Sequence, residues 1–201
     1  MKFLHAADIH LDSPLRGLDR YEGAPADEIR GATRKALGNL VSCAIDEDID
    51  FVILAGDMFD GDWPDFNTGL FFVQQMARLG LQNIPVYAVR GNHDAESKIT
   101  RKLPWPKNVR FFSSRKPESI TLDDLDVVIH GQSFATPKVI DDLALGYPAA
   151  VPGKINIGVL HTSLDGREGH ATYAPTTLNA LKSRGYDYWA LGHVHKREVV
   201  N

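Results

Sequence analysis

Phe51-Val52-Ile53-Leu54-Ala55-Gly56-Asp57-Met58-Phe59-Asp60 sets the architecture of this 201-residue chain. Five consecutive apolar residues have the length and character of a strand covered on both faces. A glycine ends the run, and glycine lets the backbone turn sharply or approach a ligand closely. Asp57 and Asp60 follow at once. Open α/β sheets present their ligand-binding groups in this way, just beyond the C-terminal ends of strands.

The same order, strand and then polar motif, recurs in both directions. Phe3 to Ala7 reads as a first strand and precedes Asp8-Ile9-His10. Pro85 to Arg90 reads as a strand and precedes Gly91-Asn92-His93-Asp94; Ile155 to Leu160 precedes His161; Tyr188 to Leu191 precedes Gly192-His193-Val194-His195. Helical spacing predicts a helix over Ile29 to Ile45, with Ala36, Leu37, Leu40, Val41, Ala44 and Ile45 on one face. A second helix is predicted over Asn67 to Leu79, with Leu70, Val73, Met76 and Ala77 facing inward. Strands over Val109 to Phe112, Ser119 to Leu122 and Leu125 to His130 follow without long helices between them, and Thr177 to Ser183 suggests a short helix. βαβ units followed by a β-rich half imply an α/β layered sandwich. The polar stretches 13–27 and 162–176 read as long surface loops, which in compact domains often carry function.

Composition narrows the classes. The chain is 43% hydrophobic and 24% charged, ordinary for one globular domain with a large core. It has no run of about 18 apolar residues, so no membrane contact is expected. The N-terminal residues lack a signal-peptide layout, and the single cysteine, Cys43, excludes an internal disulfide framework. Both features point to the cytoplasm, and the apolar periodicity around Cys43 predicts a packed core thiol. The formal charge is −4, so attraction for a phosphate must come from local groups or bound cations.

Ligands at i and i+2, as in Asp8/His10 and His193/His195, project to one side of an extended chain. Imidazoles, carboxylates and one amide oxygen suit Mn²⁺, Fe²⁺, Zn²⁺ or Co²⁺ better than Ca²⁺. Two such ions about 3.5–4 Å apart need a bridging anion, which an aspartate supplies. Roughly four positive charges then outweigh the mildly acidic chain locally.

Together Asp8-Ile9-His10, Gly56-Asp57-Met58-Phe59-Asp60, Gly91-Asn92-His93-Asp94, His161 and Gly192-His193-Val194-His195 resemble the motif set of the calcineurin-like metallophosphoesterases, all five blocks in order. The flanking His5-Ala6-Ala7-Asp8-Ile9-His10-Leu11-Asp12-Ser13-Pro14 resembles the branch of bacterial DNA repair exonucleases of the SbcD type, especially their YhaO-like relatives. The resemblance implies a four-layer αββα sandwich, with residues 1–201 as its catalytic domain. It implies two divalent ions, Mn²⁺ first among Fe²⁺, Zn²⁺, Co²⁺ and Mg²⁺. Asp8, His10, Asp57 and His195 would hold one; Asp57, Asn92, His161 and His193 would hold the other, with Asp57 as the bridge. His93 would be no ligand but would protonate the leaving oxygen, while a hydroxide activated by the two ions attacks. Some relatives carry histidine where this chain has Asp60; the expectation is that Asp60 hydrogen-bonds His93 and keeps it a proton donor near neutral pH. Family members of this branch add a C-terminal capping region, expected to be absent here, and work with a coiled-coil ATPase subunit. A missing closing strand would leave a sheet edge open and favour a homodimer.

The remaining polar residues divide less sharply. His5, His130 and His170 are expected to be structural, Asp12 to make a turn or cap, and Asp94 to stabilise the loop after Asn92. Lys98 to Lys116 contains seven basic residues and no acid, with Trp105 between two prolines. It reads either as a phosphate-tracking patch with an aromatic contact or as a solvated loop with a buried tryptophan. Arg101, Lys102 and Lys107, with Arg16 from the first long loop, are the candidate DNA contacts. A DNA exonuclease or endonuclease acting in repair is the leading function. A small-molecule phosphodiesterase or phosphatase, and a DNA-end-binding subunit with weak catalysis, are the alternatives.

Overall fold

A computed structural model describes residues 1–13, 26–61, 66–97, 102–165 and 172–201, with the backbone alone for 26–30 and 96. In chain order the elements are β1 (Phe3–Ala6), α1 (Ala26–Asp46), β2 (Phe51–Ala55), α2 (Phe66–Leu81), β3 (Val86–Val89), α3 (Asn92–Glu96) and β4 (Val109–Phe111). They continue with β5 (Glu118–Leu122), β6 (Val127–Gly131), β7 (Ile155–His161), α4 (Leu178–Lys182) and β8 (Tyr188–Gly192).

The strands form two four-stranded sheets, ordered β1-β2-β3-β4 and β5-β6-β7-β8. The first is parallel throughout; in the second only β5 and β6 are antiparallel. β2 shows why the sheets stack. Its residues alternate between faces. Val52 and Leu54 pack under Leu37 and Val41 of α1 and Phe72 and Met76 of α2. Phe51, Ile53 and Ala55 pack instead against Ile129, Ile157, Val159 and Ala190 of the second sheet. The outer face of that sheet is covered by α4 and the 3₁₀ turn at 143–146, through Ala144, Tyr147, Leu160 and Leu181. The layers therefore run αββα, with a thin fourth layer.

Three expectations need correction. In α2, Leu70 is exposed, and the buried face carries Thr68, Gly69, Phe72, Gln75, Met76 and Leu79. Cys43 is exposed on α1, as is Ala36, while Leu37, Val41 and Ala44 are buried. The motif Asn92-His93-Asp94 does not stay a loop but opens the short helix α3.

Candidate metal centre

The motifs meet because β1 and β2 keep pairing after both strands have ended. Asp8 N–H donates to Gly56 O (3.0 Å), His10 N–H to Asp57 O (3.1 Å) and Leu11 N–H to Met58 O (3.0 Å). Asp8, His10 and Asp57 sit at φ 53°, 44° and 51°, and His193 at 98°. Non-glycine residues held there cost about 1–3 kcal/mol each and persist where surrounding contacts enforce them. The glycines supply room. A β-carbon on Gly56, itself at φ 91°, would lie 2.5 Å from His161 Nδ1, and one on Gly91 would collide with the Asp57 carboxylate and the His161 ring.

Two of the three donor groups in the site are Asp8, His10 and His195, and Asp57, His161 and His193; the third, His10, Asp60 and His93, shares His10 with the first. In the first, His10 Nε2 is 3.2 Å from His195 Nε2, and His195 Nε2 is 3.8 Å from Asp8 Oδ1. In the second, His161 Nε2 is 3.2 Å from Asp57 Oδ2 and 3.0 Å from Asn92 Oδ1. Asp57 Oδ2 also lies 3.9 Å from His10 Nε2, so this carboxylate stands between the groups. The structure thus brings all seven expected ligands together. Asp8 is steadied by the His193 N–H, which donates to both its oxygens (3.0 and 2.9 Å).

The chemistry of the second group tests whether a cation fits. His161 Nδ1 is 2.9 Å from Ala55 O, and only an N–H pairs with a carbonyl, so this nitrogen carries the hydrogen. A neutral His161 then aims the Nε2 lone pair at two oxygens of Asp57 and Asn92. Three electron-pair donors converging on one buried point repel one another unless a cation or proton lies among them. Without metal the cluster keeps the proton: burial opposes charge on His161, but the Asp57 carboxylate outweighs it and raises the pKa. For His10, burial, with His93 and His195 nearby, outweighs the pull of Asp57 and lowers the pKa, leaving a neutral ring free to ligate. The residues fit two divalent ions.

His93 stands beside both groups. Its Nδ1 lies 2.8 Å from Asp60 Oδ1, and its backbone N–H donates to Asp57 Oδ1 (3.0 Å). His10 Nδ1 is 3.8 Å from the same Asp60 oxygen, too far for a hydrogen bond. Ser13 Oγ donates to the other Asp60 oxygen (2.7 Å), a support the sequence did not announce. His93 is half-buried and His195 exposed, whereas Asp57, Asn92, His161 and His193 are buried, so the centre opens on the side of the first group.

Asp94 is fully buried and accepts the N–H groups of Met58, Phe59 and Gly91, tying two motifs together. Burial, and then the nearby Asp57 charge, push its pKa up to about 7. Two aromatic rings border the ligands: Phe134, which had no sequence signal, is 5.5 Å from His161, and Tyr173, which the second long loop offered as able to reach the pocket, is 5.7 Å from His193. Asp12 accepts from Arg34 Nε (2.9 Å) and Thr68 Oγ1 (2.6 Å), joining α1 to α2. His5 bridges to Tyr188 and Leu191 O, and His130 lies between Ser119 and Asn156, both in structural roles.

In the basic stretch, Trp105 packs edge-on against Phe72 and Phe111 and is part of the core. Lys102, Lys107, Arg110, Arg115 and Lys116 are exposed. Lys107 precedes β4 and so lies at the sheet edge opposite the strand ends that carry the motifs; Arg115 and Lys116 follow β4 and lie on the motif side. Arg16 and Arg101, with Lys98 and His170, fall outside the described residues.

The family model described as calcineurin-like phosphoesterase matches residues 1–197. The chain belongs to that family. Calcineurin-like phosphoesterases are metal-dependent hydrolases with a dinuclear centre, in agreement with the paired donor groups. The chain is 37% identical over 204 residues to the uncharacterized metallophosphoesterase YhaO of Bacillus subtilis (strain 168), covering 100% of this chain and 50% of that protein. It is 22% identical over 211 residues to the DNA double-strand break repair protein Mre11 of Methanopyrus kandleri (strain AV19), covering 97% of this chain and 44% of that protein. The chain thus spans about half the length of the curated relatives it matches. No described helix of this calcineurin-like phosphoesterase is long and apolar enough to cross a membrane.

Proposed function

We propose that this chain is the catalytic domain of a cytoplasmic DNA-processing phosphodiesterase, a nuclease acting in repair. One observation carries the reaction class: Asp57 belongs to one donor group and stands 3.9 Å from His10 of the other, while Asp60 holds His93 at their open side. Two bound ions, with manganese the first candidate, would polarise a phosphoryl oxygen and activate a water at neutral pH. Asp8, His10, Asp57 and His195 would hold one ion, and Asp57, Asn92, His161 and His193 the other. Hydrogen-bonded through Nδ1 to Asp60, His93 has its Nε2 left to donate a proton to the leaving oxygen of the ester. Tyr173 and Phe134 back the ligand rings and exclude water from that side.

The choice of DNA rests on different support. The likeness to a double-strand break repair protein runs along 97% of the chain, and an acid-free stretch of basic residues leads from Lys98 to Lys116. Lys102, Arg101 and Arg16 are the proposed phosphate contacts, to which the structure suggests adding Arg115 and Lys116; Lys107, on the opposite sheet edge, is dropped from the set. A coiled-coil ATPase subunit and a second copy of the chain are the proposed partners. A small-molecule phosphodiesterase is the competing reading, and the net charge of −4 favours it. A matched assay with Mn²⁺ separates them, using a chromogenic phosphodiester, the corresponding monoester, and single- and double-stranded DNA. His93→Ala serves as control. DNA cleavage lost in that variant is the expected result; monoester preference with inert DNA would sink the nuclease.

A further inference from the structure

A cavity of about 220 Å³ opens at the C-terminal end of β6, outside the metal centre. Gln132 forms its floor with only 8% of its surface exposed; Ser114, Val139 and Leu143 line its sides, and the exposed Lys138 and Asp141 stand at its mouth. The neighbouring Ser133 hydroxyl is fully engaged, donating to Phe112 O (2.7 Å) and accepting from Arg90 N–H (3.0 Å). The Gln132 carboxamide, by contrast, makes no hydrogen bond among the described residues. This amide opens to the cavity, and an amide so placed is satisfied by whatever fills it.

The cavity adjoins the chemistry. β6 pairs with β7, the strand that delivers His161, so the cavity and the metal centre lie beyond the ends of neighbouring strands along one sheet edge. Phe134, two residues beyond Gln132, reaches the His161 ring. Val139 and Leu143 also pack in the small cluster of Ala95, Phe134 and Ala174, which borders the helix carrying His93.

We propose that this cavity is a nucleobase subsite of the enzyme, seating the base next to the scissile phosphodiester, with the Gln132 carboxamide pairing with its hydrogen-bonding edge. The proposal rests on the phosphodiesterase reading. A carboxamide offers a donor and an acceptor side by side, the arrangement that pairs bidentately with a base. Val139 and Leu143 give the flat faces an apolar lining. Among the described residues that line it the cation is Lys138, which Asp141 offsets at the mouth, so the floor offers nothing to hold an anionic group.

Calorimetric titration of the metal-loaded protein with the four 2′-deoxynucleosides, which carry no phosphate, tests the subsite directly. Saturable binding with a base preference is expected, weakened at least about tenfold in Gln132→Leu, the loss of one bidentate amide–base pair. Gln132→Glu keeps the size and removes the donor, and should reorder the base preference. In parallel, the ratio of kcat/KM for dinucleoside monophosphates to that for methyl p-nitrophenyl phosphate should fall about tenfold in Gln132→Leu. Absence of saturable nucleoside binding, or equal binding by wild type and both variants, overturns the subsite. If no nucleotide is hydrolysed, the phosphodiesterase reading fails, and the titration still decides whether the cavity takes a base.

Discussion

At the scale of single residues, His161 and His93 divide the work. His161 has no exposed surface, one nitrogen committed to Ala55 O and the other aimed between Asp57 and Asn92. His93 is half exposed and held by one carboxylate at 2.8 Å. His93→Ala should lower kcat by about 10²–10⁴-fold with both ions retained by metal analysis. Asp60→Asn should also lower kcat and change the pH–rate profile; an unchanged profile would leave Asp60 a purely structural anchor for Ser13 and His93. Stability of the metal-free protein gives a second test. Asp94, pushed up to about 7 by burial and Asp57, binds its proton more tightly folded than unfolded. Its stabilising contribution is therefore complete below about pH 4 and lost as pH rises through about 7, and the raised His161 pKa acts in the same sense above it. The melting temperature of metal-free protein should fall as pH rises through about 7, above the range in which the lowered pKa of His10 acts in the opposite sense, and added Mn²⁺ should flatten the fall. Every donor was legible in the sequence, since each follows a strand in a recognisable motif. Ser13 and Phe134 were not, because their value comes from contacts with residues 27 or more positions away.

Among the elements, strands were easier to place than helix faces. β2 and β3 announce themselves as short unbroken apolar runs, and two covering layers explain why both faces are apolar. α2 is different. Leu70, Phe71, Phe72, Val73, Met76, Leu79 and Leu81 are spread around the cylinder, so periodicity allows more than one inward face. Packing chose the face that seats Phe72 against Phe59 and Trp105, and it carried Thr68, Gly69 and Gln75 inward too. Phe72→Ala should cost about 3–5 kcal/mol in chemical denaturation, and Leu70→Ala about 0.5 kcal/mol or less. Comparable losses at the two positions would contradict the observed face. Cys43 was misplaced for the same reason: its neighbours Val41 and Ala44 are buried, but its own position turns outward.

For the whole molecule, layered stacking brings the ends of five strands to one place, and charge must be judged from that place. A net charge of −4 says little about DNA when the motif side also carries Arg115 and Lys116. If DNA crosses that side, neutralising both should reduce the slope of log K against log salt by about 1.8 for duplex, whereas Lys107→Ala should leave it nearly unchanged. Equal slopes in all three proteins would make the basic stretch ordinary surface. The order of the ligands along the chain has one more consequence. His10 and His195 touch across 185 residues. At synthesis rates of about 5–20 residues per second, the ribosome releases the first motif roughly 10–40 s before the last. Through that interval the proposed ion sites would both be incomplete, one lacking His195 and the other His193. On the proposed reading the nascent chain would be a bystander to the phosphodiesters around it, its own messenger included, until β8 has emerged with His193 and His195 behind it.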